Sequence, residues 1–256
     1  MEVPGPVRST GRQLIAAWLV HAFSASGAVL ALLALAAIDR GELRTALLWL
    51  ALALVVDGVD GTLARMARVK ELVPRIDGAT LDLVIDYLNY VFVPTLFIWQ
   101  AGLVPAALAL PLGALIQLSS LYVFARSDMK TEDNYFRGFP ALWNVVAVYL
   151  FVAQPGPAAG AAIVFLLALS SFAPIHFVHP FRVRDYGRWL PALAVAWAGA
   201  TAAMLWPGWS PSAQAAWFWI SSVTAMALLG LGLLRTLRGP RLRAHVSPVA
   251  GDRAGS

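Results

Sequence analysis

Long apolar stretches, separated by short polar or charged breaks, make up most of the chain. Most of them approach or exceed the roughly 20 apolar residues that an α-helix needs to cross a bilayer. The breaks contain the helix-terminating residues Gly and Pro, as in "AQPGPAAG" and "WPGWSP". The pattern predicts an all-α, polytopic membrane bundle of about eight transmembrane helices. The stretches lie at residues 13–38, 45–64, 79–99, 103–125, 140–153, 158–178, 189–206 and 212–234.

The composition agrees with a lipid environment. Of the 256 residues, 59% are hydrophobic and 13% are charged, which is about half the charged fraction of an ordinary soluble domain. The absence of cysteine excludes disulfides, iron–sulfur clusters and thiolate zinc sites. The first stretch is too long for a signal-peptide core and no cleavage pattern follows it, so we interpret it as a retained span.

Basic residues indicate the orientation of the spans, because cytoplasmic loops of membrane proteins are enriched in Lys and Arg. With the N-terminus in the cytoplasm, 17 of the 19 basic residues face that side, and only Arg40 and Arg44 do not. These loops explain the net charge of +5 better than nucleic-acid binding does. We predict eight spans with both termini cytoplasmic, a single membrane domain at residues 1–238 and a flexible cytoplasmic tail at 239–256. The 17 residues are Arg8, Arg12, Arg65, Arg68, Lys70, Arg75, Arg126, Lys130, Arg137, Arg182, Arg184, Arg188, Arg235, Arg238, Arg241, Arg243 and Arg253.

Four aspartates stand near the ends of two successive spans. Asp57 and Asp60 are three residues apart, Asp82 and Asp86 are four apart, and each spacing places a pair on one helix face. A charged side chain at the bilayer centre costs about 2.5–3.5 kcal/mol, so such a group needs compensation. Carboxylates at one locus suit Mg²⁺ or Mn²⁺, and a two-ion centre is a recurrent device for phosphoryl transfer.

The residues between the two pairs favour a phosphate ligand. Gly61 and Gly78 permit close backbone approach, and Arg65 offers a planar fork for a phosphate. A polar helix-end cluster, in which the aspartates pair with neighbouring basic residues, is the structural alternative. Intramembrane acids also mark ion pathways, so an ion-coupled transporter is a further alternative.

The aspartate pattern resembles a known family. Asp57-x2-Asp60-Gly61-x2-Ala64-Arg65 and Gly78-x3-Asp82-x3-Asp86 are similar to the signature of the CDP-alcohol phosphotransferases, which displace CMP from a CDP-linked lipid or alcohol. The gap at 66–77 is longer than usual by about one helical turn. In this the chain is most similar to the bacterial phosphatidylcholine synthases, as it is in "WLVHAFSASGA", "DYLNYVFVP" and "DNYFRGFPALWN".

The resemblance implies roles for individual residues and a catalytic core at about residues 13–178. Asp82 and Asp86 would be catalytic, with Asp86 as a metal ligand or as the base for the acceptor hydroxyl. Two ions of Mn²⁺ or Mg²⁺ would be held by Asp57, Asp60, Asp82 and Asp86. The CDP moiety would contact Asp57, Gly61, Ala64, Arg65 and Gly78.

The substrates implied are CDP-diacylglycerol and choline, in a bacterial inner membrane with the site facing the cytoplasm. The acceptor could instead be glycerol phosphate, inositol phosphate or serine. The resemblance also suggests a homodimer. Aromatic faces bind quaternary ammonium groups, and lipid phosphate would suit Arg126 and Arg137. The aromatic candidates for choline are Tyr87, Tyr90, Tyr135 and Trp143.

Overall fold

Apolar helices make up most of residues 10–239, the part of the chain that this computed structural model describes. The expectation of a helical bundle is confirmed, with one small two-stranded sheet in addition. A π-helical turn, Leu88–Phe92, joins α4 to α5. The elements in chain order are α1 (Gly11–Asp39), α2 (Leu43–Met66), α3 (Val69–Leu72), α4 (Gly78–Tyr87), α5 (Val93–Gln100), α6 (Ala106–Ala125), β1 (Phe136–Arg137), α7 (Trp143–Ala153), α8 (Pro157–Ser170), β2 (His176–Phe177), α9 (Trp189–Leu205) and α10 (Pro211–Arg238).

Five helical segments in the described chain are long and apolar enough to cross a membrane. They are Gly11–Asp39, Leu43–Met66, Gly78–Gln100, Ala106–Ala125 and Pro211–Arg238. They correspond to five of the eight predicted spans.

The other three predicted spans coincide with shorter helices. Helices α7, α8 and α9 have 11, 14 and 17 residues, or about 17, 21 and 26 Å at 1.5 Å per residue, against a hydrocarbon core of about 30 Å. The predicted span 158–178 is wrong beyond Ser170, because the helix ends there and the chain turns into strand β2.

Helices α1 and α2 form an antiparallel hairpin that also packs against α4 and α5. Helix α1 begins with a capping box in which Thr10 and Gln13 satisfy each other's backbone N–H groups. Gly27 is the point of close approach to α4, since a Cβ built there would lie 2.5 Å from Cγ2 of Ile85. The Gly27 carbonyl accepts a 3.0 Å hydrogen bond from Nδ2 of Asn89. This contact fixes α1 beside the helix that carries Asp82 and Asp86.

The connection at 66–77 does not continue helix α2. It forms the separate one-turn helix α3, which begins after Arg68 in a left-handed conformation with φ of 52°. Val69 and Val73 are buried against Ala17 of α1, while Arg68 pairs with Glu71 at the surface. The additional residues therefore form a small apolar anchor on α1.

The π-helical turn begins two residues after Asp86. Pro94 follows it at the start of α5, and proline has no N–H to donate to the carbonyl four residues earlier. The α-helical hydrogen-bond ladder is therefore interrupted at this point. Such wide turns occur frequently at functional sites, and this one carries the buried residues Asn89 and Tyr90.

Two loops are joined by the antiparallel pairing of β1 with β2. We call residues 126–142 the first loop and residues 171–188 the second loop. Helix α10 holds both loops, because Arg235 donates to Asp133 of the first loop at 2.6 and 3.3 Å. Thr236 Oγ1 accepts from the His176 backbone N–H of the second loop at 2.8 Å. The predicted tail beyond residue 239, with Arg241, Arg243 and Arg253, lies outside the described residues, as does Arg8.

Candidate active site

Three of the four predicted aspartates converge where α2 approaches its end and α4 begins. Asp57 lies on α2, whereas Asp82 and Asp86 lie one turn apart on α4. Each carboxylate offers an oxygen, and the three oxygens lie within 4.8 Å of one another. We call these three residues the aspartate cluster. Two spans thus present their acidic side chains to one shared position.

The aspartate cluster has the donor chemistry for a hard divalent cation. Two ionised carboxylates with oxygens no more than 4.8 Å apart repel each other by at least about 3 kcal/mol at an effective dielectric constant of about 20. An octahedral ion with oxygens at about 2.1 Å holds those oxygens at most about 4.2 Å apart. Oxygens this close could share one ion after at most small side-chain rotations, and the charge of the ion would offset the repulsion. The cluster can therefore hold a divalent metal ion.

Asp60 lies beside the aspartate cluster but not within it. The residue is only 8% exposed, and its carboxylate lies next to the hydroxyl group of Ser24 on α1. It remains in electrostatic range of Asp57 and of Asp82 and Asp86. It therefore adds negative charge near the cluster from a more buried position.

Tyr90 contacts the aspartate cluster directly. Its hydroxyl donates a 2.6 Å hydrogen bond to Oδ2 of Asp57, and the side chain is buried. A donor fixed by packing orients one carboxylate oxygen and leaves the other available to a ligand. Sequence reasoning assigned Tyr90 to choline, whereas the structure gives it a contact that positions Asp57.

The other three aromatic candidates for choline lie in different surroundings. Tyr87 is half-buried and donates to Gln117 Oε1 at 2.7 Å. Tyr135 is fully buried beneath the Arg235 guanidinium, and Trp143 is fully buried and donates to Ser120. Tyr135 and Trp143 therefore expose no ring face, whereas Tyr87 is partly accessible.

The residues predicted to bind CDP lie at the end of α2 and the start of α4. The Arg65 guanidinium folds back toward Gly61, one turn earlier on α2. A Cβ atom built on Gly61 would lie 3.7 Å from Nη1 of Arg65. Arg65 also donates to Thr62 Oγ1 at 3.0 Å. Ala64 packs against the anchor formed by α3, and Gly78 is the first residue of α4. Arg65 and Gly61 thus share an exposed surface next to the aspartates.

Asp77 is a fifth aspartate, between the two predicted pairs in sequence, and it has a structural role. Its side chain caps α4 by accepting from the backbone N–H groups of Ala79 and Thr80, at 3.0 and 3.4 Å. The hydrogen bond from the Thr80 hydroxyl and these N–H groups lower the pKa of Asp77 below its usual value. The cap sets the beginning of the helix that carries Asp82 and Asp86.

Arg126 and Arg137, predicted to bind lipid phosphate, converge on one carboxylate. Arg126 donates to both oxygens of Asp128 at 2.7 and 2.9 Å, and Arg137 donates to one of them at 3.0 Å. The hydrogen bonds from Arg126 lower the pKa of Asp128. The two arginines therefore form an ion-pair network at the base of the first loop.

Two cations near the aspartate cluster were missed as site residues by sequence reasoning. Lys130 on the first loop and Arg182 on the second both act on the Asp82 carboxylate through space. Burial lowers the pKa of Lys130, and Arg182 lowers it further, while Asp86 and Asp82 oppose the shift. The sequence offered no signal beyond the general excess of basic residues in these loops.

His179 lies beside Lys130 and Arg182. The His179 ring stacks on the Phe136 ring with centroids 5.3 Å apart. Nζ of Lys130 lies 5.0 Å from the centroid of the Phe136 ring. Burial, together with the charges of Lys130 and Arg182, lowers the pKa of His179 to about 4. The histidine is therefore neutral near pH 7, and the positive charge here comes from Lys130 and Arg182.

Known proteins similar to this chain are named phosphatidylcholine synthase. The one from Pseudomonas aeruginosa is 52% identical over 170 residues, which are 66% of this chain and 71% of that protein. The one from Borreliella burgdorferi is 39% identical over 172 residues, 67% of this chain and 74% of that protein. The one from Mesorhizobium japonicum is 40% identical over 181 residues, 71% of this chain and 68% of that protein. No protein-family model matches the chain.

Proposed function

This chain belongs to the family of the phosphatidylcholine synthases, and from that membership we propose that it transfers the phosphatidyl group of CDP-diacylglycerol to choline and releases CMP. The observation that carries the proposal is the convergence of Asp57, Asp82 and Asp86 within 4.8 Å. A site for phosphoryl displacement needs such a centre of oxygen ligands. The Gly61 and Arg65 surface beside it suits the CDP moiety.

In the proposed step, the choline oxygen forms a bond to the phosphorus that bears diacylglycerol. The bond from that phosphorus to the bridging oxygen of the pyrophosphate breaks, and CMP leaves with the electron pair. Asp86 accepts the proton of the choline hydroxyl, which is otherwise a poor nucleophile at neutral pH. Tyr90 keeps Asp57 oriented through its hydrogen bond.

We propose that Asp57, Asp60, Asp82 and Asp86 hold Mn²⁺ or Mg²⁺, as two ions. The bound ions would supply positive charge for the pyrophosphate and for the departing CMP. Asp57, Asp82 and Asp86 have the geometry for this donor set, and Asp60 is within electrostatic range of them. Tyr87, which follows Asp86 on α4 and is only half-buried, is the aromatic residue that we propose for the choline ammonium group.

Lys130 and Arg182 are the residues that we propose for the phosphates of the donor substrate, CDP-diacylglycerol. Both cations act on Asp82 from loops that are joined by the β1–β2 pairing. A partly buried ammonium group is screened less by salt than an exposed one, so it interacts strongly with a nearby phosphate. We propose that Lys130 and Arg182 bind the pyrophosphate from the side opposite to the aspartates.

Replacing Lys130 by Met is expected to lower kcat/KM for CDP-diacylglycerol about tenfold, the equivalent of one lost charge contact of about 1.4 kcal/mol. Methionine keeps most of the length of the lysine side chain and removes its charge, including the contact of Nζ with the Phe136 ring. CMP release at varied CDP-diacylglycerol concentration measures the effect. Lys70→Met is the matched control, since Lys70 is an exposed cation of helix α3. An equal loss in both variants would contradict a specific role and indicate only general surface charge.

The acceptor is tested by supplying different alcohols to the purified protein. The protein is incubated with CDP-diacylglycerol and Mn²⁺, and with choline, serine, glycerol phosphate or inositol phosphate. We expect CMP and a new phospholipid with choline alone. CMP with another alcohol would establish that acceptor instead. Movement of choline into liposomes without any CMP would favour the transporter alternative.

We also propose how the chain is arranged in the membrane. Helices α7, α8 and α9 fall short of full spans, but their apolar composition and the distribution of basic residues favour eight membrane-embedded segments in one catalytic domain. With both termini cytoplasmic, the aspartate cluster faces the cytoplasm of the bacterial inner membrane. We further propose that the enzyme assembles as a homodimer, as the family resemblance suggests.

A further inference from the structure

A buried imidazole on α1 makes no hydrogen bond at one of its nitrogens. His21 is only 6% exposed, and its Nε2 atom is buried and has no hydrogen-bond partner. Leaving a buried polar atom unpaired costs free energy, and native structures rarely tolerate it without a reason. Asn89, Ser171 and His179 contain the other such atoms among the described residues.

His21 lies directly beside Gly78, one of the residues proposed to contact CDP. A Cβ built on Gly78 would lie 3.7 Å from Cε1 of His21. Nε2 is covalently bonded to that carbon, so the unpartnered nitrogen lies next to the beginning of α4. Gly78 has no side chain to interpose between the imidazole and a ligand at this point.

Ser24 lies on the same face of α1 as His21 and is close to one of the aspartates. It follows His21 by three residues, so the two side chains share one helix face. Its hydroxyl lies beside the Asp60 carboxylate. The polar face of α1 therefore runs from Gly78 to Asp60, along both halves of the predicted nucleotide-binding motif.

We infer that His21 is a further donor-binding residue, whose Nε2 forms a hydrogen bond with the nucleotide half of CDP-diacylglycerol. This inference rests on the proposed function for the identity of the nucleotide. A neutral imidazole can donate or accept through Nε2, depending on its tautomer, and the hydroxyls and base edge of a nucleoside offer both kinds of partner. Ligand binding then satisfies the nitrogen that the protein leaves unpaired.

The test compares His21→Phe with His21→Gln. We expect the Phe variant to weaken CMP binding, measured by direct titration with CMP, at least about tenfold, and to raise the KM for CDP-diacylglycerol similarly. The KM for choline and kcat should change less than about threefold. The Gln variant, which keeps a hydrogen-bonding group, should recover part of the affinity. Leu19→Phe, on the lipid-exposed side of the same helix, is the control for an added ring.

Thermal unfolding separates binding from a structural role. Because the Nε2 atom has no partner within the protein, its removal should leave the melting temperature unchanged or raise it. Wild-type CMP affinity in His21→Phe would overturn the inference, as would a loss of affinity accompanied by a lower melting temperature, which would indicate a structural role. The titration requires no turnover, so a wild-type protein that binds CMP but forms no phosphatidylcholine would count against the proposed function alone.

Discussion

Replacing Asp86 by Asn is expected to lower the rate of CMP release from CDP-diacylglycerol at least about a thousandfold. The substitution keeps the shape of the side chain but removes both the proton acceptor and one anionic oxygen from the aspartate cluster. General-base catalysis alone contributes about 10²- to 10⁴-fold, and the loss of a metal ligand adds to this. Incorporation of radiolabelled choline into lipid measures the same loss independently.

The control for this variant is Asp39→Asn. Asp39 is an exposed aspartate at the end of α1, outside the site, and its replacement should leave the activity within about twofold. Asp86→Asn relieves repulsion among three nearby carboxylates, so its melting temperature without metal should not fall. Substantial activity in a well-folded Asp86→Asn protein would exclude Asp86 as the base.

Removal of divalent metal is expected to reduce activity below about 1% of the untreated enzyme. The cluster carries three carboxylates within 4.8 Å, and without bound cations their charge would repel the pyrophosphate instead of binding it. Treatment with a chelator, followed by desalting, should abolish CMP release. Addition of Mg²⁺ or Mn²⁺ should restore it.

Direct binding of Mn²⁺, followed by electron paramagnetic resonance, locates the metal without relying on turnover. Asp57→Asn should weaken Mn²⁺ binding at least about tenfold, while Asp39→Asn should leave it unchanged. Full turnover by a protein that elemental analysis finds free of divalent metal would refute the metal-dependent mechanism. Equal Mn²⁺ affinity in both variants would show that Asp57 is not a metal ligand.

The long spans were predictable from the sequence because hydrophobic length is a direct consequence of bilayer thickness. The first four predicted stretches and the last one match described helices to within a few residues. The prediction was wrong at 158–178, since apolar residues continue beyond Ser170 while the backbone leaves the helix. Hydropathy measures burial in an apolar medium, but it does not distinguish a helix from a packed loop.

The site was predictable where it depended on spacing within one helix. The three- and four-residue intervals of the aspartates placed the pairs correctly on α2 and α4. Contacts between distant segments were not predictable, because no local pattern encodes them. Lys130 reaches the cluster through the pairing of β1 with β2, and Trp143 turns into the core to meet Ser120. Neither placement follows from the residues adjacent in sequence.

The ion pair between Arg235 and Asp133 bears on how the enzyme matures during synthesis. Residues 57–86 carry the aspartates, but α10, which holds both loops, leaves the ribosome more than a hundred residues later. The first loop and the second loop therefore gain these contacts with α10 only after the last helix has been made. We expect a chain that ends before α10 to keep the aspartates but to lack the contacts that hold these two loops.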